Sequence, residues 1–152
     1  MLRFWNLWRI SVILADVNVL VHSFRADSPR HAAVAPWWRE TVYSSEPFAV
    51  PDLVFSGFLR VVTMPRIFNP PCTLDQAMVY VEAVRAQPNY VALGPAGRHW
   101  ELFTSLCRSA RATGNLIPDA WLAGIAIEHG CVLATDDRGF ARFPGLKCHY
   151  FE

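Results

Sequence analysis

Hydrophobic positions change their period repeatedly along this chain. Ser11 to Ala15 is a short apolar, β-branched run that predicts a strand. Val17 to Phe24 stays apolar apart from Asn18, His22 and Ser23 and predicts a helix, with Asp16 at the junction. Ser28 followed by Pro29 reads as a helix start, a hydroxyl cap before a proline at the first helical position. Pro36 is expected to break or kink that helix ahead of Trp37 and Trp38. Pro47 to Val50 predicts a second strand, and Asp52 to Thr63 a helix closed by Pro65.

Thr73 and Gln76 form a capping-box pattern, and Leu74, Ala77, Met78, Val81 and Val84 recur behind it at three- and four-residue spacing. Together they predict an amphipathic helix. Tyr90 to Leu93 predicts a short strand. Gly97 to Arg111 predicts a helix with His99, Phe103, Leu106, Cys107 and Ala110 on one side and Gly114 at its end. Asp119 to His129 is apolar nearly all round, as a central buried helix is, and Gly130 closes it. Cys131 to Thr135 and Cys148 to Phe151 predict the last two strands.

Strands alternating with helices on short connections predict a three-layer α/β fold with a mainly parallel central sheet. The organisation expected is an N-terminal arm over residues 1–10 and one domain over 11–152. At 152 residues with 53% hydrophobic content, such a domain buries a core without metal or disulfide staples. Disordered, collagen-like and coiled-coil classes are excluded. The longest stretch without Asp, Glu, Lys or Arg runs from Ala86 to Gly97 and is interrupted by two prolines, too short to span a bilayer. The apolar run after Arg9 meets Asp16 sooner than a secretory signal allows.

Cys72, Cys107, Cys131 and Cys148 show no CxxC spacing and read as reduced space-fillers, which places the chain in the cytoplasm. Formal net charge is +1, and of 14 basic side chains only Lys147 is lysine. An arginine-rich set is compatible with phosphate and nucleic-acid contact, and equally with GC-rich coding.

In parallel α/β sheets, ligands bind beyond the carboxyl ends of the strands. Asp16 follows the first predicted strand, Asp136 and Asp137 follow the strand from Cys131, and Asp119 opens the helix feeding that strand. Each acid has an ordinary explanation. Asp16 and Asp119 suit helix starts, and Asp137 suits a turn. Their convergence carries the information, because a carboxylate inside the run LADVNVLV needs pairing, hydrogen bonds or a metal to tolerate burial.

The strings ILADVNVLVHSF, PDLVFSGFLRVVTMPRIF, GNLIPDAWLAGIAIEHG and VLATDDRGFARFPGL resemble the PIN-domain ribonuclease toxins of bacterial VapBC toxin–antitoxin modules, over about residues 12 to 152. The resemblance implies a metal-dependent endoribonuclease in which carboxylates hold Mg²⁺, with Mn²⁺ as the alternative. It implies Asp16 as the first acid, Asp119 as the third and Asp137 as the fourth. For the second acid, Asp52 matches a branch reading acid, Leu-Val-Leu-Ser-Gly-Phe-x-Arg, and Glu46 is the fallback. A hard divalent cation suits such oxygen ligands, and the cluster without a cation would raise its own pKa values by repulsion. Asn18 and Asn115 are candidates to orient ligands or substrate, Thr135 to bond a metal-bound water, and Arg60, Arg138 and Arg142 to contact phosphate.

The partners implied are RNA, a cognate protein antitoxin and a second copy of the chain in a homodimer. Trp37 and Trp38, beyond Pro36, are expected at a partner's groove in preference to the core. The five histidines show no HxH or HExxH spacing, which argues against a zinc hydrolase. The competing reading is a PIN-like module that holds RNA or protein with little or no catalysis. A nucleotide-binding doubly wound domain fits poorly, because Asp16-Val17-Asn18 stands where a glycine-rich loop belongs.

Overall fold

The computed structural model describes residues 11–152, so the arm expected over residues 1–10 lies outside the described residues. Five short strands form the sheet: β1 Ile13–Ala15, β2 Phe48–Ala49, β3 Tyr90–Val91, β4 Val132–Ala134 and β5 Lys147–His149. Among the described residues six helices lie in pairs between the first four strands: α1 Val17–Phe24, α2 His31–Tyr43, α3 Asp52–Val62, α4 Leu74–Arg85, α5 His99–Ala110 and α6 Leu116–Glu128, with a 3₁₀ turn at Arg138–Arg142. The strand order is β3-β2-β1-β4-β5, and every neighbouring pair is parallel.

Successive residues of a strand face opposite sides of the sheet. Leu14 and Ala15 of β1 are both fully buried, as are Leu133 and Ala134 of β4 and Phe48 and Ala49 of β2. Both faces are therefore covered, and the three-layer α/β architecture expected from the pattern is present. On the helical side, α1 packs against α2 and α3, α3 against α4, and α5 against α6. Gly57 permits the α1–α3 approach: a Cβ there would stand 2.8 Å from Val17 Cγ2.

Local chemistry sets several boundaries. Thr73 Oγ1 accepts from Gln76 N while the Gln76 side chain accepts from Thr73 N, so the capping box forms as read. Ala77, Val81 and Val84 are buried on α4, whereas Leu74 and Met78 of the same predicted stripe are exposed. All four cysteines are free thiols.

Four expectations need correction. Ser28 and Pro29 precede a turn, and α2 begins at His31; the Ser28 hydroxyl lies 2.6 Å from His22 Nδ1 and accepts from Arg30 N instead. Of the break or kink expected at Pro36, the break does not occur: α2 runs through it to Tyr43. Proline lacks the N–H that would donate to the carbonyl of Ala32, an exposed residue. α5 closes on Arg111, which adopts the left-handed conformation (φ 50°) before Gly114 is reached. Trp38 is a core residue, 2% exposed, donating from Nε1 to the Tyr80 hydroxyl at 3.0 Å. Trp37 stacks on His149 with ring centroids 4.6 Å apart and meets Phe151 edge-on. α2 thus turns Trp38 into the core and leaves Trp37 partly buried against aromatic neighbours from the far end of the chain.

Candidate active site

The carboxyl ends of β1 and β4 lie side by side, with Ala15 level with Ala134. Asp16 N donates to Ala134 O at 3.0 Å, and Thr135 N to His149 O at 3.0 Å, so Asp16 and Thr135 are the first residues past the two central strands. Asp16 does two things at once. Its Oδ1 accepts from Val17 N at 2.7 Å as the cap of α1, the ordinary explanation of the residue. Its Oδ2 accepts from Thr135 Oγ1 at 2.8 Å and from Asn18 Nδ2 at 3.1 Å. Only 8% exposed, the Asp16 carboxyl is held above the usual carboxylate range, chiefly by burial and secondarily by Asp137, against the lowering effect of its hydrogen bonds.

Two small polar side chains organise the surroundings. Asn18 Oδ1 accepts from Asp136 N at 3.0 Å, which ties the first turn of α1 to the turn after β4. Thr135 Oγ1, besides donating to Asp16, accepts from Asp137 N at 3.0 Å. Asp137 Oδ1 in turn accepts from Gly139 N at 2.8 Å and starts the 3₁₀ turn.

A cleft of about 770 Å³ opens at this end of the sheet, lined among others by Asp16, Asn18, Arg60, Asn115, Asp119 and Asp137. Asp119 projects from the first turn of α6 and is half-buried. Its carboxyl is pushed up to about 6, first by burial, then by the charges of Asp16 and Asp137. Among the described residues, none of Asp16, Asp119 and Asp137 has an ion-pair partner. Asn115, just before α6, makes no cap bond and faces the cleft, and exposed Arg60 lines it from α3.

Asp52, the expected second acid, does not join this group. Its side chain is 91% exposed and pairs with Arg85 Nη1 at 3.1 Å, in a separate hollow lined by Tyr90 and Trp121. Helix geometry gives the reason: Leu53, Gly57 and Arg60 of α3 face the cleft, and Asp52 stands about 100° around the helix from Leu53. The fallback, Glu46, is exposed before β2, away from the carboxyl ends of the strands. Where the second acid was expected, α3 offers Ser56 and Gly57. Asp136 also stays out of the cleft lining and pairs with Arg30.

Sequence reasoning passed over His22 and Ser28, which line the cleft wall. The available signal was the four-residue spacing of Asn18 and His22, which puts both on one face of α1.

Asp16, Asp119 and Asp137 offer carboxylate oxygens from three separate elements, and none of the three forms an ion pair among the described residues. Among the described residues no three His, Cys, Asp or Glu side chains stand close enough to cage an ion alone. Mg²⁺ does not require such a cage, since it keeps several waters and takes one or two carboxylates plus substrate phosphate. The residues fit that cation.

The PIN domain profile matches residues 13–146. Ribonuclease VapC25 of Mycobacterium tuberculosis is 45% identical over 136 residues, which cover 90% of this chain and 96% of that protein. Ribonuclease VapC31 of the same organism is 44% identical with the same coverage. Among solved structures, VapBC2 from Rickettsia felis, bound to a DNA fragment from its promoter, is similar with a TM-score of 0.68 at 14% identity, covering 93% of this chain and 99% of that one. VapC20 of Mycobacterium tuberculosis, a sarcin-ricin loop cleaving toxin, gives a TM-score of 0.62 at 16% identity, covering 89% and 98%. These two similarities speak for the fold, and the two sequence relatives for the branch. The chain belongs to the PIN-domain family, within its VapC ribonuclease branch.

Proposed function

We propose that this protein is a divalent-metal-dependent endoribonuclease, the toxin of a two-component module, restrained by a cognate antitoxin. The observation that carries the reading is the convergence of Asp16, Asp119 and Asp137, none of them ion-paired among the described residues, on one cleft beyond the parallel strands. Relatives named as VapC ribonucleases at 45% and 44% identity support RNA as the substrate, and similarity to a VapBC structure supports an antitoxin partner.

Asp16, Asp119 and Asp137 would hold Mg²⁺ or Mn²⁺. The bound ion supplies a water of lowered pKa and polarises the scissile phosphate. Asn18 and Thr135 fix Asp16 Oδ2, so that its orientation is set before substrate arrives. Arg60 is placed to meet an RNA phosphate and Asn115 to bond a phosphate or ribose oxygen. No side chain has to act as a covalent nucleophile. Leu53 and Ile67, both lining the cleft and 46% and 50% exposed, give an apolar rim suited to an antitoxin segment lying across it. Self-association as a homodimer belongs to the same reading, and light scattering tests it.

The displacement of Asp52 from the cleft favours one alternative, a PIN-like module that binds RNA or protein with little cleavage. The deciding experiment maps RNA ends after brief expression of the intact chain and of Asp16→Asn, with cleavage repeated on purified protein in Mn²⁺ and in EDTA. New ends with the intact chain, and none with Asp16→Asn or in EDTA, are expected. RNA retained without cleavage selects the binding module.

A further inference from the structure

The turn after β4 carries two adjacent acids, and only one of them enters the cleft. Asp137 lines it, while Asp136 is engaged from behind by Arg30, the residue before α2. Arg30 Nε donates to Asp136 Oδ2 at 2.7 Å and Nη2 to Oδ1 at 2.9 Å, a two-pronged contact that fixes the plane of the carboxylate as well as its position. The same Nη2 donates to Phe151 O at 3.2 Å. His22 Nε2 stands 3.7 Å from Asp136 Oδ2 on the other side. The Asp136 side chain is 15% exposed and that of Arg30 35%, so the pair is more protected from solvent than an ordinary surface pair.

We propose that Arg30 is a positioning residue for the cleft: by clamping Asp136 it holds the turn that presents Asp137 and, through Asn18, the orientation of Asp16. The path is continuous. Asp136 N donates to Asn18 Oδ1, Asn18 Nδ2 donates to Asp16 Oδ2, and Asp137 N donates to Thr135 Oγ1, the hydroxyl that also serves Asp16. The clamp has a second effect. It matches Asp136 with a positive charge, so that this carboxylate is not a further unpaired acid beside the cleft. Arg25 and Asp27 form a similar fork, but Asp27 is exposed and away from the cleft, which makes that pair the matched control.

The inference rests on the reading of the cleft as a cation site, and the test separates the two. Mn²⁺ binding to the full chain is measured calorimetrically, well below each variant's melting temperature, for wild type, Arg30→Gln, Asp136→Asn, the double variant, Arg30→Lys and Asp27→Asn. Each of Arg30→Gln and Asp136→Asn is expected to weaken Mn²⁺ binding about 10-fold, the lower end for partners that orient ligands. RNA cleavage should fall in kcat with KM nearly unchanged. The double variant should bind Mn²⁺ about as weakly as either single, because both break one contact. Arg30→Lys, with a point charge in place of a fork, should restore binding only in part. Asp27→Asn should bind as wild type does. Wild-type affinity in Arg30→Gln with only a lowered melting temperature overturns the inference alone, as do losses that multiply in the double variant. If Arg30→Gln does not fold, Asp136→Asn carries the same test, since it keeps the side-chain size and the backbone bond to Asn18. A wild-type chain that binds no Mn²⁺ overturns the cation-site reading and this inference with it.

Discussion

Thr135 and Asp16, 119 residues apart in sequence, are joined by a fully buried hydrogen bond of 2.8 Å from Thr135 Oγ1 to Asp16 Oδ2. The bond spans the carboxyl ends of two neighbouring parallel strands and fixes the Asp16 carboxylate at the cleft. Thr135→Val keeps the shape, removes that donor and leaves Asp137 N without its acceptor. The expected cost is about 1–3 kcal/mol of stability, seen as a lower urea midpoint at unchanged m-value, together with weaker Mn²⁺ binding. A variant with the wild-type midpoint and affinity contradicts this role.

Asp119 makes the metal-free protein sensitive to pH in a defined direction. Its carboxyl, ordinarily at 3.8, is pushed up to about 6 in the folded state, so the native chain holds this proton more tightly than the unfolded chain does. The corresponding stabilisation is present below about 3.8 and is lost as pH rises through about 6. Asp119→Asn should therefore melt higher than wild type near pH 7 in EDTA, with the advantage shrinking as pH falls toward 4. Melting curves of both proteins across that range check it, and a difference independent of pH refutes it.

Divalent metal should reverse the strain of the cluster. Mg²⁺ or Mn²⁺ that binds only the folded chain stabilises it by about 2.7 kcal/mol at a hundred times Kd, so the wild-type melting temperature should climb with added metal. Asp16→Asn should lose that climb together with cleavage, while folding normally in EDTA. A metal-dependent shift undiminished in Asp16→Asn would remove Asp16 from the site.

Asp52 supplies the opposite expectation. Its exposed pair with Arg85 contributes at most about 1 kcal/mol to stability. Asp52→Ala and Glu46→Ala should each keep Mn²⁺ affinity and RNA cleavage within about twofold of wild type. A tenfold loss in Asp52→Ala contradicts the placement of Asp52 outside the site.

The sequence by itself determined several features that close over a few residues, though not the helix ends signalled at Ser28-Pro29 and Gly114. Asp16 at the end of an apolar strand, Asn18 two residues on, and the Thr73 and Gln76 capping box were legible because their local bonds are made within four residues of chain. The apolar runs also determined the alternation of strand and helix, since a parallel sheet covered on both faces leaves no polar side to its central strands. The resemblance pointed to Asp137 in preference to Asp136, but what holds Asp136 aside is tertiary, because its partner Arg30 is 106 residues away. Tertiary structure alone turned Asp52 toward Arg85, 33 residues away, because composition does not fix the rotation of a helix about its axis against the sheet. Trp38 went into the core for the same reason: its partner, Tyr80, lies on a helix 42 residues further along, and only packing brings the two together.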